Sequence, residues 1–455
     1  MAQEKDLSQG NLVSVLLLFA LPYIGANFIQ ALYGAADLII VGKFCNSGAI
    51  SGVATGSQLM QTLIMFITAL TVSGTILIGK AYGAKQYENI IKIINTMTVC
   101  FVAAAVILSC AIIMFDVPLI NLLQTPQEAF QSTKDYIFIC SLGLVFIFGF
   151  NAIAAILRGL GNSLAPMYFA GISCAVNIIL DLLLIGKYSL GASGAAIATV
   201  ISQAVSVIIG IIYLKKGNFV FKLSLRKIRF DIETAKEIFK IGLPLSLQDT
   251  IIPLSFLFLF SLANSMGVAA SAAYGSVVRL NAFMMLPAGS FAMALTAITA
   301  QNLGAGKPDR AIQTLKLSML FAFLFGVIFF IWQQINPQSA IAIFSTDKEV
   351  LSAGEQFLRS FSYDYLLVPF VFCCNGFFFG CGKTLFAAVN NILSAFLIRV
   401  PVAFVLCRLI ADSTLFELGI AAPCASVLTI IISLSYLNYL IKYNKFRMCS
   451  HKSSF

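Results

Sequence analysis

Twelve long apolar stretches constrain this chain more than any other feature. They fall at roughly 14–41, 51–79, 93–115, 136–157, 164–185 and 192–214, and then at 241–266, 273–301, 314–334, 359–379, 384–408 and 417–441. Each approaches the ~20 residues that a helix needs to cross the hydrocarbon core of a bilayer. The runs are continuous rather than alternating, which excludes a transmembrane β-barrel. Composition agrees: 59% of residues are hydrophobic and 11% charged, where an ordinary soluble domain carries about 25% charge. A soluble globular protein, a disordered chain and a disulfide scaffold are excluded together. The expected fold is an all-α integral membrane protein of twelve transmembrane helices. The run from Leu12 continues past Pro22 with no small-x-small cleavage site, so it reads as a first helix rather than a signal peptide.

The sole histidine, His451, lies in the C-terminal tail, which leaves no histidine metal chemistry in the spans. The eleven cysteines show no CxxC or CxxCH spacing and mostly sit in apolar runs, as Cys100, Cys110, Cys140, Cys174 and Cys424 do. They read as small buried hydrophobes. No metal is expected beyond a possible Na⁺, and no cofactor.

The polar, basic stretch 215–240 divides the spans six and six. The expected organisation is an N-terminal lobe over 1–214, a cytoplasmic linker over 215–240, and a C-terminal lobe with its tail over 241–455. With the N-terminus inside, 21 of the 29 Lys and Arg fall on inner loops, tail and linker. The inner set includes Lys80, Lys85, Lys92, Arg158, Lys307, Arg310, Lys316 and Lys383. That asymmetry places both termini in the cytoplasm, in a multi-pass protein of the plasma (inner) membrane. The basic linker is thereby explained by topology and lipid headgroups, with no nucleic acid.

The two halves repeat. Ile78-Gly-Lys-Ala-Tyr-Gly-Ala-Lys85 answers Thr299-Ala-Gln-Asn-Leu-Gly-Ala-Gly-Lys307, with Gly83 and Gly304 separated by 221 residues. Arg158-Gly-Leu-Gly-Asn-Ser163 answers Phe379-Gly-Cys-Gly-Lys-Thr384 at the same separation, and Leu21-Pro22 answers Leu243-Pro244 at 222. Six is even, so both halves start on the same side. Two parallel six-helix lobes, related by a pseudo-two-fold axis along the membrane normal, are expected to enclose a cavity and to suit alternating access.

A carboxylate at the bilayer centre costs about 2.5–3.5 kcal/mol on insertion scales. Most of the 19 acids avoid that cost by lying in loops. Asp37 in span one, Asp181 in span five and Asp249 in span seven do not, while Asp364 reads as interfacial at the outer end of span ten. Asn177 and Asp181 are four apart and share a helix face. Span six adds Thr199 and Gln203; span one adds Gln30 and Tyr33 on the face of Asp37. Two carboxylates with amide and hydroxyl oxygens form a hard-oxygen site for Na⁺. Desolvation and a neighbouring carboxylate suit the same site to a proton.

These residues carry a resemblance. The chain is similar to the multidrug and toxic compound extrusion (MATE) transporters over essentially its whole length. The matching segments are Ala36-Asp-Leu-Ile-Ile-Val-Gly42, Asn177-x-x-x-Asp181, Arg158-Gly-Leu-Gly-Asn162, Gly194-Ala-Ala-Ile-Ala198 and Gln301-Asn-Leu-Gly-Ala305. The resemblance is nearer the prokaryotic branch related to DNA-damage-inducible F proteins. It implies efflux of amphipathic organic cations driven by inward H⁺ or Na⁺, with a coupling site at Asp37, Asn177, Asp181 and Thr199. Pro22 matches a proline that the family is proposed to use in bending its first helix; on physical grounds it breaks one backbone bond and permits a kink. The chain departs from members with acids in spans seven and ten, since Val368–Phe379 holds none and Asp249 lies towards the inner end. Asp249 reads either as a cation-attracting cavity wall or as a polar tie between helices.

The functional expectation is therefore an ion-coupled antiporter acting on small organic cations amid membrane lipid, working as a monomer and not an enzyme. A lipid-linked saccharide flippase of similar architecture is the nearest rival; its pyrophosphate calls for cavity cations, and only Arg279 and Arg399 lie mid-membrane. An intramembrane transferase would need a His or a clustered Asp-rich motif. A channel would need a filter-like loop.

Overall fold

The computed structural model describes residues 4–217, 219, 229–409 and 414–443. Linker residues 220–228 and the tail with His451 lie outside them. The helices are α1 (Leu12–Phe44), α2 (Ser47–Gly83), α3 (Tyr87–Met114), α4 (Asp116–Leu122), α5 (Gln127–Leu142), α6 (Leu144–Gly159), α7 (Leu164–Asp181), α8 (Gly191–Lys216) and α9 (Ile232–Ser265). They continue with α10 (Val268–Met284), α11 (Leu286–Gly304), α12 (Pro308–Ile335), α13 (Pro337–Ile341), α14 (Lys348–Phe361), α15 (Tyr363–Cys381), α16 (Thr384–Ser394), α17 (Val400–Leu409) and α18 (Leu415–Lys442). π-helical turns follow α7 at Leu182–Lys187 and α16 at Ala395–Arg399. Among the described residues eleven helical segments are long and apolar enough to cross a membrane, and α5 with α6, bent by 50°, makes a twelfth. Helices satisfy their own backbone groups, which hydrocarbon cannot do for them. The protein is an all-α, multi-pass membrane protein.

Local chemistry sets the ends. Asn46 accepts the Ala49 N–H at 2.9 Å to start α2. Thr414 and Glu417 form a reciprocal capping box on α18. α9 begins nine residues before the apolar run at 241 because Asp231 caps it, accepting the Thr234 N–H and hydroxyl at 2.8 Å each. Hydropathy is blind to that polar first segment. α14 was not expected as a separate helix; it is amphipathic, burying Val350, Phe357, Leu358 and Phe361. The expected tenth span at 359–379 therefore starts inside one helix and continues in another.

Packing divides the chain into two compact units, 1–6 with 21–246 and 7–20 with 247–455. This differs from a division at the basic linker in two places. The first segment of α1 packs in the second unit, and the first segment of α9 packs in the first. The Gln301–Lys307 loop accounts for the former: Gln301 Oε1 accepts the Leu7 N–H at 2.9 Å, and Lys307 Nζ donates to the Ser8 carbonyl at 2.8 Å. Arg310 adds bonds to the Gln9 and Gly10 carbonyls at 2.9 and 2.8 Å. In the first unit, Lys92 pairs with Asp231 at 3.0 Å, and Thr96 Oγ1 accepts the Asp231 N–H.

Close helix approach is made by small residues, as in membranes generally. On α2, Gly48, Gly52 and Gly56 face α5; a Cβ at Gly52 would lie 2.5 Å from Ser132 Cβ, and one at Gly56 2.6 Å from the Tyr136 ring. In the second unit Gly376 of α15 lies against the Ala292 carbonyl of α11, and Thr296 donates to the Gly376 carbonyl at 3.0 Å.

Candidate functional site

The site is built on α1, α7 and α8 of the first unit. Its placement starts at the Arg158–Ser163 loop. Gly161 takes a left-handed φ of +83°, which glycine adopts without a Cβ penalty. Asn162 then accepts the Ala165 N–H at 3.0 Å, opening α7, and donates to the Tyr213 hydroxyl of α8 at 3.1 Å. Arg158 stacks over the Tyr23 ring of α1 at 4.1 Å, so one loop orients all three helices.

Along α7, Ser173, Asn177 and Asp181 follow at intervals of four and are all buried. The helix passes directly from Asp181 into the π-helical turn, a local widening frequent at functional positions. Asp37 of α1 is 5% exposed and lies within electrostatic range of Asp181. Tyr33, one turn before Asp37, is within range of both carboxyls and of Thr199. Its hydroxyl lies 2.9 Å from Ser202 Oγ, and Ser202 donates to the Thr199 carbonyl at 2.8 Å.

The polar atoms of this cluster lack partners. Among the described residues sixteen buried side-chain nitrogens and oxygens make no hydrogen bond, and seven of them belong to Asp37, Ser173, Asn177, Asp181 and Thr199. Folded proteins pair the great majority of such atoms, and each one left unpaired costs about 1–3 kcal/mol. Two carboxyls, with the Asn177 amide one turn from Asp181 and the Thr199 hydroxyl near Tyr33, are suited to take up protons or a hard cation; Ser173 lies two turns from Asp181 along α7.

The other expected residues are placed differently. Gln30 is exposed and Gln203 half-buried. Pro22 lies inside α1, which runs unbroken from Leu12 to Phe44. Asp249 belongs to the second unit and is exposed; Gln248 donates to its carboxylate at 3.1 Å and accepts from Asn391 at 2.9 Å. Asp364 is 3% exposed, and Ser426 of α18 donates to its carboxyl at 2.5 Å.

Sequence reasoning missed three residues that line or adjoin the candidate site. Ser173 extends the i, i+4 spacing of Asn177 and Asp181 and was legible. Ser202 stands three residues after Thr199 and needed the Tyr33 contact to be seen. Tyr136 of α5 lies within range of Asp37 and Tyr33 in the space left by Gly56, and no spacing rule predicts it.

The MatE family model matches residues 22–183 and again 244–405. The chain belongs to the MatE family. As a member it is a membrane transporter and not an enzyme. Among its relatives, the probable multidrug resistance protein YpnP of Bacillus subtilis is 26% identical, over 87% of this chain and 88% of that protein. The multidrug export protein MepA of Staphylococcus aureus is 24% identical, over 85% and 86%. A solved MATE crystal structure, in complex with MaD5, superposes with a TM-score of 0.90 at 20% identity, covering 98% of this chain and 99% of that one. That likeness establishes the fold.

Proposed function

We propose that this MatE protein is a secondary active multidrug efflux transporter that exports amphipathic organic cations in exchange for H⁺ or Na⁺ by alternating access. The names of its relatives, multidrug resistance and multidrug export proteins, support the substrate class. The single observation that carries the coupling is the buried pair Asp37 and Asp181 on separate helices, three of whose carboxyl oxygens have no hydrogen-bond partner.

Two carboxylates facing each other in a low dielectric repel strongly when both are ionised. A proton or a sodium ion arriving from outside removes the repulsion and lets α1 repack on α7 and α8. Asn177 and Thr199 supply neutral oxygens that complete a cation's shell, and Tyr33, anchored by Ser202, orients its hydroxyl towards the same place. Repacking of α1 biases the two lobes towards releasing substrate outside; loss of the ion inside resets them. Asp249, exposed and steadied by Gln248 and Asn391, attracts the substrate's positive charge. Pro22 lowers the cost of bending α1. The excess of basic residues on one set of loops supports cytoplasmic termini in a plasma-membrane protein, and the cycle calls for no more than a monomer.

The test is reconstitution in vesicles with a fluorescent organic cation, under an imposed pH gradient and then a Na⁺ gradient. Dye movement against its own gradient under either condition supports antiport. No response to either, with scrambling of lipid-linked saccharide instead, overturns it in favour of a flippase.

A further inference from the structure

The Ser173 hydroxyl breaks a pattern common among the buried helix hydroxyls of this protein. Those hydroxyls often donate back to the carbonyl four residues earlier, as Ser141 does to Ile137 at 2.6 Å, Ser290 to Leu286 at 2.7 Å and Thr429 to Ala425 at 2.9 Å. For Ser173 that carbonyl belongs to Phe169. Ser206 of α8 takes it instead, its hydroxyl donating to the Phe169 carbonyl at 3.0 Å. Ser173 is 3% exposed, and its Oγ makes no hydrogen bond. A hydroxyl buried without a partner costs about 1–3 kcal/mol. The fold therefore maintains a free hydroxyl two turns from Asp181, and Ser206 is the residue that keeps it free.

Ser173 ends a series of such atoms. A helix rises about 1.5 Å per residue, so Asn177 stands about 6 Å and Ser173 about 12 Å from Asp181 along α7. Both polar atoms of the Asn177 amide, both Asp181 carboxyl oxygens and Ser173 Oγ are buried and unpartnered. α8 returns beside α7 after a short turn, so the two run antiparallel. With Ser206 opposite Phe169, one turn along α8 brings Ser202 to the level of Ser173, and about one more brings Thr199 to that of Asn177. The series stops at Phe169, whose ring meets Tyr213 edge-on at 5.6 Å. Beyond that pair Asn162 donates to the Tyr213 hydroxyl, at the end of α7 that carries the Arg158–Ser163 loop. The free polar groups thus lead from Asp181 towards the inner end of α7 and finish behind an aromatic contact.

We propose that Ser173 is the innermost station of the coupling ion, reached from Asp181 by way of Asn177, and that the Phe169–Tyr213 pair closes the inward end of this leg. A hydroxyl both donates and accepts, so it can pass a proton along a hydrogen-bonded chain, and its oxygen is equally a ligand for Na⁺. Each step of about 6 Å is the span of two hydrogen bonds in series, the reach of a single bridging water. Asn177 offers donors and an acceptor without a charge of its own, so it does not trap the ion between stations. The inference rests on the reading of the protein as an ion-coupled antiporter, and it adds the inward leg that the two carboxylates do not supply.

The test is gradient-driven efflux of a fluorescent organic cation from vesicles, under a pH gradient and then a Na⁺ gradient, with thermal unfolding of each purified protein. The gradient that drives wild type identifies the ion that uses the path. Ser173→Ala is expected to lower the maximal rate about three- to tenfold, the worth of one hydrogen-bonding group in a rate-limiting step. The ion concentration for half the maximal rate should stay unchanged, because Asp37 and Asp181 are intact. The variant should melt no lower than wild type, since it loses a buried hydroxyl that has no partner; a hydroxyl serving the fold would lower the melting temperature instead. Ser173→Thr keeps a hydroxyl and should retain most of the rate, whereas Ser173→Val, of similar shape to the Thr variant, should not. Ser206→Ala releases the Phe169 carbonyl to Ser173, so the rate should fall as in Ser173→Ala although Ser173 is present. The double variant should be no slower than either single one. Should Ser173→Ala fail to fold, Ser206→Ala and the Thr–Val pair decide. A coupled wild type matched in rate by Ser173→Ala, equal rates in the Thr and Val variants, or additive losses in the double variant would overturn the inference and leave antiport standing. A wild type that answers neither gradient overturns antiport, and this inference with it.

Discussion

The hydroxyl of Tyr33 on α1 lies 2.9 Å from the hydroxyl of Ser202 on α8, and Ser202 is itself tied to the Thr199 carbonyl. The residue one turn beyond Tyr33 is Asp37, so this contact sets the distance between α1 and the remaining groups of the proposed ion site. Tyr33→Phe keeps the ring and loses the anchor. A neutral hydrogen bond is worth about 0.5–1.5 kcal/mol net. The half-saturating concentration of the coupling ion should rise about two- to tenfold, with substrate affinity measured in the absence of a gradient unchanged. An unaltered ion dependence would show that Tyr33 only packs.

Asp37→Asn and Asp181→Asn preserve shape and remove one carboxylate each. Both proteins should insert and purify as wild type, because Asp37 Oδ1 and both Asp181 oxygens are buried without a hydrogen-bond partner on which the fold could depend. Gradient-driven dye efflux should fall by about tenfold or more in each, as a titrating charge is lost from the pair. Wild-type efflux in both variants would remove the basis of the coupling scheme.

Gly56→Ala tests the packing behind the site. Its Cβ would meet the Tyr136 ring at 2.6 Å, whereas a Cβ at Gly34 has nothing within 4 Å. Overpacking of this kind costs about 1–3 kcal/mol, and the Gly56 variant should melt at a lower temperature. Gly34→Ala should be neutral or slightly stabilising, since alanine is the better helix former. Thermal unfolding in detergent, followed by fluorescence, separates the two.

At the membrane surface the Thr234 N–H, then the Lys92 ammonium and the Thr234 hydroxyl, hold the Asp231 carboxyl down at about 2. A depressed carboxyl contributes stability that is fully present above its ordinary value near 3.9 and is lost as pH falls through the folded value. The start of α9 should therefore be equally protected from hydrogen exchange at pH 5 and pH 8. Asp231→Asn should expose its first turn at both. A loss of protection in the wild type between those values would contradict the assignment.

Pro22→Ala restores one backbone bond within a helix that is already continuous around it. The expected effect is a modest slowing of efflux, smaller than that of either acid variant, at unchanged binding of the dye.

The spans were legible because lipid enforces continuous apolar runs, and the repeat because helix-end glycines such as Gly83 and Gly304 keep their positions. Asp37, Asn177 and Asp181 were legible because charge and amides are expensive there. What hydropathy concealed was amphipathic or tertiary. The start of α9 is polar along one side and depends on an Asp231 cap. The burial of Asp364 depends on a hydroxyl partner, Ser426, that lies 62 residues away. Tyr136 comes within range of Asp37 in the gap left by Gly56, and no spacing rule marks it.

The exchange of helix beginnings bears on how the chain is assembled. Residues 7–20 are synthesised first, yet the surface that buries them, including Gln301, Lys307 and Arg310, emerges some three hundred residues later. Until then Leu7 and the first turns of α1 have no native resting place. The first unit is likewise unfinished until the ribosome has passed the linker and delivered Asp231 and Thr234. Neither half can mature as an independent product of translation. A gene split within 220–228 would yield two polypeptides, each lacking a piece of its own fold and carrying a piece of the other's, so co-expression of both should be needed to recover either.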